Sequence, residues 1–358
     1  MTMAQAFQHV AGQHPGREAL VCGPQRSTYG QLAERVESLA HGLQELGIGK
    51  GDKVATLLYP CPEFIYLFFA LAKLGGVIVP INPQFRRRQL SRILSDAEPV
   101  AVVTSARVGE EALETIRGLR SESSTLRHLI LTEGGSASEL PLADLISAGP
   151  TVPFSPPPVD PHYVLALLYT SGTTGFPKGA MHSHRSLIAP VVASLRLRQM
   201  WISRPSPRMM GRWARVLDRY GPRLLRAVGR SQAFLSTVGC HNITGLEVIL
   251  QALLMGDRVI MMDRFNPLEG LRFVLRNRPW RYTLGMNLLS WMPVDTAAAL
   301  FPYSHLLDGD ERRRFQHRVV HHPVECPYVS ASGPLAGQAP GEKDGLHHHY
   351  RLLGGSAA

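Results

Sequence analysis

From Lys53 onward the chain alternates between continuous apolar runs and helical stretches. Lys53-Val-Ala-Thr-Leu-Leu58 is a short apolar run that predicts a buried strand, and Pro62 opens a helical stretch over Glu63 to Leu74. Gly75-Gly76 stops that helix, and Val77-Ile-Val-Pro-Ile81 is the next predicted strand, completing a βαβ unit. A second unit follows, with an amphipathic helix over Arg87 to Ser95, a boundary at Pro99, and a strand over Val100-Ala-Val-Val-Thr104. Leu129-Ile-Leu131 and Val164-Leu-Ala-Leu-Leu168 predict two more strands. Continuously apolar strands alternating with helices point to an α/β fold, its mostly parallel sheets flanked by helices. Between Thr151 and Pro161 five prolines (Pro153, Pro156, Pro157, Pro158 and Pro161) exclude helix and central strand, so this stretch is a connector into the Val164 strand. No internal repeat is visible.

At 358 residues the chain can hold two ordinary domains or one large α/β unit with a buried core, and its 44% apolar and 18% charged residues set it apart from disordered and fibrous chains. The first twenty residues include His9, Gln13, His14, Arg17 and Glu18 and lack an apolar stretch before a small-residue cleavage site. The expectation is therefore a cytoplasmic protein without a secretory signal. Phe64 to Ile81, the most apolar stretch, is broken by Lys73 and Gly75-Gly76 and reads as buried core, not a membrane span. The four cysteines, Cys22, Cys61, Cys240 and Cys326, include no C-x-x-C pair, which argues against a zinc ribbon, a thioredoxin-like site or a disulfide framework. Adjacent histidines at His321-His322 and His347 to His349 point in different directions, and no metal site is assigned to them.

Directly after the Val164 strand comes Tyr169-Thr-Ser-Gly-Thr-Thr-Gly-Phe-Pro-Lys-Gly179. Glycines let successive backbone N–H groups converge on an anion, hydroxyls add donors, and Lys178 brings a positive charge to a phosphate oxygen. Such a loop suits phosphate. The hydrolase P-loop, G-x-x-x-x-G-K-[ST], nearly fits from Gly172, but Pro177 stands where its glycine belongs and Gly179 where its magnesium-binding hydroxyl belongs. The bland alternative is a surface turn without a ligand, which a ten-residue run after a buried strand disfavours.

This run is similar to the signature phosphate loop of the adenylate-forming (AMP-binding) superfamily, the acyl- and aryl-CoA synthetases, luciferases and peptide-synthetase adenylation domains. The continuation Ala180-Met-His-Ser-His-Arg-Ser-Leu187 agrees with it, as do Thr28-Tyr-Gly-Gln-Leu-Ala33, Leu46-Gly-Ile-Gly-Lys-Gly-Asp-Lys-Val54 and Ala72-Lys-Leu-Gly-Gly-Val-Ile-Val-Pro-Ile-Asn-Pro83. Gly239-Cys-His-Asn-Ile-Thr-Gly245 and Met262-Asp-Arg-Phe265 resemble the region where the family's acyl pocket begins. The resemblance covers about residues 15 to 275 and implies the family's large N-terminal domain without the small C-terminal one. It implies an ATP-dependent acyl-CoA synthetase that forms an acyl-adenylate, with ATP, Mg2+ and coenzyme A and a carboxylic acid, a fatty acid foremost, as reactants. Carried over residue by residue, it makes Thr170, Ser171, Gly172, Thr173, Thr174, Gly175 and Lys178 the phosphate cradle. Lys178 and His241 are the candidate catalytic residues; for His241 the competing reading is a satisfied core histidine.

Other family features are missing. The sequence contains no aromatic-Gly-x-Thr-Glu motif for a magnesium-binding glutamate, no Thr-Gly-Asp motif for a ribose-binding aspartate, and no C-terminal catalytic lysine domain. After about Arg276 the family pattern is lost, which predicts a truncation or frameshift near residues 276 to 285. The expected organisation is a first α/β subdomain over 1–190, a basic helical segment over 191–232, part of a second α/β subdomain over 233–280, and an unassigned tail over 281–358. The alternative function is a catalytically inactive nucleotide- or membrane-binding remnant.

Charge is concentrated in the basic segment. The chain's net charge is +10, yet the stretch from Arg196 to Arg230 holds ten arginines and one acid, Asp218, so it carries +9 by itself. Arg208, Arg212, Arg215, Arg219, Arg223, Arg226 and Arg230 recur at helical spacing opposite Met210, Trp213, Leu217, Tyr220, Leu224 and Val228, interrupted at Gly221-Pro222. Two readings stand equal: peripheral binding to an anionic membrane, and an ordinary surface helix packed on the core. Nucleic acid is not expected as a partner, because no other basic patch or recognised module accompanies the stripe.

Overall fold

A computed structural model of the chain describes residues 1–134, 139–147, 157–170, 177–203, 233–236, 238–262, 266 and 268. The arginine stripe from Arg208 to Arg230, the tail over 281–358 and the loop residues Ser171, Gly172, Thr173, Thr174 and Gly175 lie outside the described residues.

The chain opens with helix α1 (Met3–Gln13), strands β1 (Glu18–Cys22) and β2 (Gln25–Thr28), and helix α2 (Tyr29–Glu45). Thr28 ends β2 and caps α2: its Oγ1 accepts from the Gln31 amide at 3.3 Å while Gln31 Oε1 accepts from the Thr28 amide at 3.0 Å. The family-like segment Thr28-Tyr-Gly-Gln is thus a capping box that turns a strand directly into a helix.

Next come β3 (Lys53–Leu57), α3 (Pro62–Leu74) and β4 (Val77–Ile81), as the apolar pattern predicts. Pro62 opens α3, with Glu63 in its first turn and Lys73 in its last, and Gly75 closes it in the left-handed conformation at φ 73°. Phe64 to Ala72 are all buried, so this helix runs through the core. Phe69 stacks on Phe7 of α1 at 4.2 Å between ring centres and meets Phe68 edge-on at 5.3 Å.

The following elements are α4 (Arg87–Ala97), β5 (Ala101–Thr104), a short 3-10 turn (Ala106–Val108), α5 (Glu110–Glu122), β6 (His128–Leu131), β7 (Leu140–Pro141) and α6 (Leu142–Ser147). After the proline-rich connector come β8 (Val164–Thr170), β9 (Lys178–Ser183) and α7 (His184–Ser203), then β10 (Ala233–Ser236), α8 (Ile243–Leu254) and β11 (Arg258–Met261).

Two sheets result. The larger has the order β7-β6-β5-β3-β4-β8-β9, parallel except for the antiparallel β8/β9 hairpin. Pro80 has no N–H to donate, and β4 meets β8 at Ile78↔Ala166, before the proline. The second sheet has the order β10-β11-β1-β2. It joins the start of the chain to residues 233–261, with β1 parallel to β11 in the register Leu20↔Val259. One core cluster packs α1, α2, α3 and α8 between these layers, and a second, including Leu90, Ile93, Leu94 and Ile116, lies under α4 and α5. Among the described residues no helix is long and apolar enough to cross a membrane.

Candidate functional site

Strand β8 runs two residues beyond its predicted end, to Tyr169 and Thr170, and Lys178 to Ser183 return as β9. The pattern does not announce β9, because Lys178, Gly179, Ala180 and Met181 are exposed and no buried alternation marks them. Thr170 pairs with Lys178 and Tyr169 with Gly179, so both ends of the glycine- and hydroxyl-rich run are held side by side at the mouth of a hairpin. Thr170 and Lys178 are both exposed there. The mouth stands at the C-terminal end of β8, the end of a parallel strand where α/β sheets bind their ligands.

Two features stiffen this stem. The Tyr169 hydroxyl donates to Asp96 Oδ2 in the last turn of α4 at 2.6 Å, and burial together with that carboxylate pushes the phenol's pKa up, keeping it a donor. Opposite the ring, a Cβ on Gly179 would stand 2.8 Å from Leu167 Cδ1 and 3.3 Å from Tyr169 Cζ. A larger residue there would push the stem open.

His241 comes from the other sheet, in the connection between β10 and α8. It is half-buried, and burial lowers its pKa, so the ring is neutral near pH 7 and able both to accept and to donate a proton. The ring lies against the Gly239 backbone: a Cβ on Gly239 would stand 2.4 Å from His241 Cε1 and 2.6 Å from Nδ1. Asn242 caps α8 by accepting from the Thr244 amide at 3.1 Å, and its own amide donates to the Gly239 carbonyl at 3.1 Å. Cys240 between them is buried, its thiol pushed up to about 12 by desolvation. Thr170 and Lys178 are therefore brought together by β8 and β9, while His241 is positioned separately on the four-stranded sheet. The two parts are linked through α7 and α8, where Gln251 Nε2 donates to Ser194 Oγ at 3.0 Å.

One residue of the family-like run has a place that sequence reasoning missed. His184, at the start of α7, is fully buried; its Nδ1 accepts from the Met3 amide at 3.2 Å and its Nε2 has no partner among the described residues. Burial lowers its pKa to about 4. Among the described residues no group of three His, Cys, Asp or Glu side chains could hold a metal ion.

Comparison with known proteins agrees with this architecture. The model of the AMP-binding enzyme family matches residues 7–280. The isonitrile lipopeptide synthase of Mycobacterium tuberculosis is 36% identical over 191 residues, 52% of this chain and 7% of that protein. The crotonobetaine/carnitine–CoA ligase of Escherichia fergusonii is 33% identical over 198 residues, 52% of this chain and 37% of the ligase. The chain thus spans well under half the length of the curated relatives it matches. Among solved structures, the inhibitor-bound N-terminal domain of FACL13 from Mycobacterium tuberculosis superposes with a TM-score of 0.59 at 25% identity, covering 76% of this chain and 60% of that one. A fatty acyl CoA synthetase of the same organism gives 0.57 at 25% identity, covering 76% and 47%. The mostly parallel sheets and a family match over most of the length together place this chain in the AMP-binding enzyme family.

Proposed function

We propose that the chain is the nucleotide-binding portion of an AMP-forming acyl-CoA ligase whose acid substrate is a fatty acid. One observation carries the reading: Thr170 and Lys178 are paired at the C-terminal end of a parallel strand and bracket the glycine- and hydroxyl-rich run between them. In the proposed reaction a substrate carboxylate oxygen attacks the α-phosphorus of ATP, the bond to the bridging oxygen breaks, and pyrophosphate leaves. Coenzyme A thiolate then displaces AMP from the mixed anhydride. The role assigned to Thr170, Ser171, Gly172, Thr173, Thr174, Gly175 and Lys178 is to hold the β- and γ-phosphates and offset charge as pyrophosphate departs. His241, neutral and packed against Gly239, is assigned to the acyl side of the site. No metal ligand is assigned among the described residues. The fatty-acid assignment is supported by the likeness to a fatty acyl CoA synthetase.

A second reading, a nucleotide-binding remnant without turnover, is supported by the loss of the family pattern after about Arg276. ATP–pyrophosphate exchange with a panel of short- and long-chain acids, run beside direct ATP binding, separates the two. Exchange driven by long-chain acids supports the ligase. Binding without exchange supports the remnant, and absence of both defeats the nucleotide site.

A further inference from the structure

The outer end of β8 carries the hairpin mouth at the edge of the larger sheet. Toward β4 it pairs at Ala166, three residues before Tyr169, and its partner on the other side, β9, is the last strand of the sheet, with Lys178 to Met181 exposed.

We propose that Asp96 is a positioning residue for the phosphate loop, acting through Tyr169 to fasten the hairpin stem to helix α4. The proposal rests on the nucleotide-binding reading of that loop. Its geometry is direct: the Tyr169 hydroxyl donates to Asp96 Oδ2 at 2.6 Å, and Tyr169 is 9% exposed, packed into the cluster that holds Leu90, Ile93 and Leu94 of the same helix. The ring also occupies the space above Gly179, its partner across the hairpin, so one residue contacts both strands of the stem and the helix behind it. Asp96 lies in the last turn of α4, where the helix dipole disfavours a carboxylate. A charged acceptor there makes the tyrosine bond stronger than a neutral pair. The next residue after Tyr169 is Thr170, the first of the cradle, so any movement of the stem is passed to the loop without an intervening residue.

The test uses the full chain carrying Asp96→Ala, Asp96→Asn or Tyr169→Phe, with Thr28→Ala as a control that removes a helix cap far from the loop. Hydrogen exchange of the amides from 170 to 178 and the dissociation constant for ATP are both read, together with thermal midpoints. Asp96→Ala and Tyr169→Phe are expected to speed stem exchange and weaken ATP binding, each about tenfold. Asp96→Asn keeps an acceptor for the phenol and should recover much of both. Thr28→Ala should lower the thermal midpoint and leave both readouts unchanged. Unaltered stem exchange in Tyr169→Phe, or unaltered ATP affinity despite faster exchange, overturns the proposal. So does an equal loss of affinity in Thr28→Ala, because general destabilisation would then explain it. If the parent chain binds no ATP, the nucleotide reading fails, and stem exchange alone decides whether Asp96 holds the hairpin.

Discussion

The Tyr29 hydroxyl lies 2.6 Å from the Asp257 carbonyl and 2.9 Å from that of Leu253, sharing its one hydrogen between them. This joins the first turn of α2 to the turn between α8 and β11, and it explains how the start of the chain comes to share a sheet with residues 233–261. Tyr29 is completely buried, so when the hydroxyl is removed the Asp257 carbonyl gains no water in its place, while that of Leu253 still accepts from the Gly256 amide at 3.3 Å. Tyr29→Phe is expected to cost about 1–3 kcal/mol, the penalty for an unsatisfied buried polar group. Urea unfolding at pH 7 measures it, and a midpoint equal to the parent's would show the bond to be dispensable.

Glycines in the helices should respond to alanine with opposite signs. Gly42 of α2 faces α6, and a Cβ there would stand 2.5 Å from the Leu145 carbonyl oxygen, so Gly42→Ala should destabilise by about 1–3 kcal/mol through overpacking. Gly12 in α1 and Gly118 in α5 have nothing within 4 Å of that position. There alanine should stabilise by about 0.5–1 kcal/mol through helix propensity. Thermal melting of the three variants gives the ranking; a gain from Gly42→Ala would mean that α2 and α6 are not packed this closely.

What could be read in advance follows the range of the forces involved. Pro62, Gly75 and the apolar residues between them mark α3 by local chemistry, and its ends agree with the pattern to within a residue. Strands β3, β4 and β5 are buried continuous runs and are equally legible. Strand β9 is not, because its stability comes from pairing with β8 and not from its own side chains. The pairing of Leu20 with Val259 is invisible for a related reason, since nothing local in either strand names its partner. Thr170 and Lys178 belong to one continuous motif, and the hairpin pairs them, while the crowding of His241 against Gly239 depends on backbone positions that residue types do not encode.

Burial of His184 makes stability fall with acid in a defined window. Its folded pKa of about 4 lies below the free value of 6.5, so the unfolded chain takes up the proton first as pH falls. The contribution is complete above 6.5, declines between 6.5 and 4, and adds no further loss below. At pH 5 the cost is about 2 kcal/mol. His128 and His241, also lowered by burial, act in the same direction, so the useful quantity is the difference between parent and His184→Asn. The variant should lose less stability than the parent between pH 7.5 and pH 5 in urea titrations; parallel losses would remove His184 from the account.

Lys178 lies on the larger sheet and His241 follows a strand of the smaller one, and their substitutions should separate in function as well. Under the proposed reaction Lys178 stands at the mouth of the loop and meets the nucleotide whether or not an acid is present. Lys178→Ala removes one charge-assisted contact and should weaken ATP binding about tenfold, or somewhat more. His241 belongs to the acyl side, so His241→Ala should leave ATP affinity within about twofold while lowering acid-dependent pyrophosphate exchange on the order of 100-fold, the range for a lost positioned catalytic group. Gly239→Ala offers an independent probe, because its Cβ would occupy the space of the His241 ring and displace it without changing its chemistry. It should therefore follow His241→Ala in exchange and the parent in ATP binding. Calorimetric ATP titration beside the exchange assay reads both quantities on the same preparations. If His241→Ala and Gly239→Ala weaken ATP as much as Lys178→Ala does, the division of the site between the two sheets is wrong.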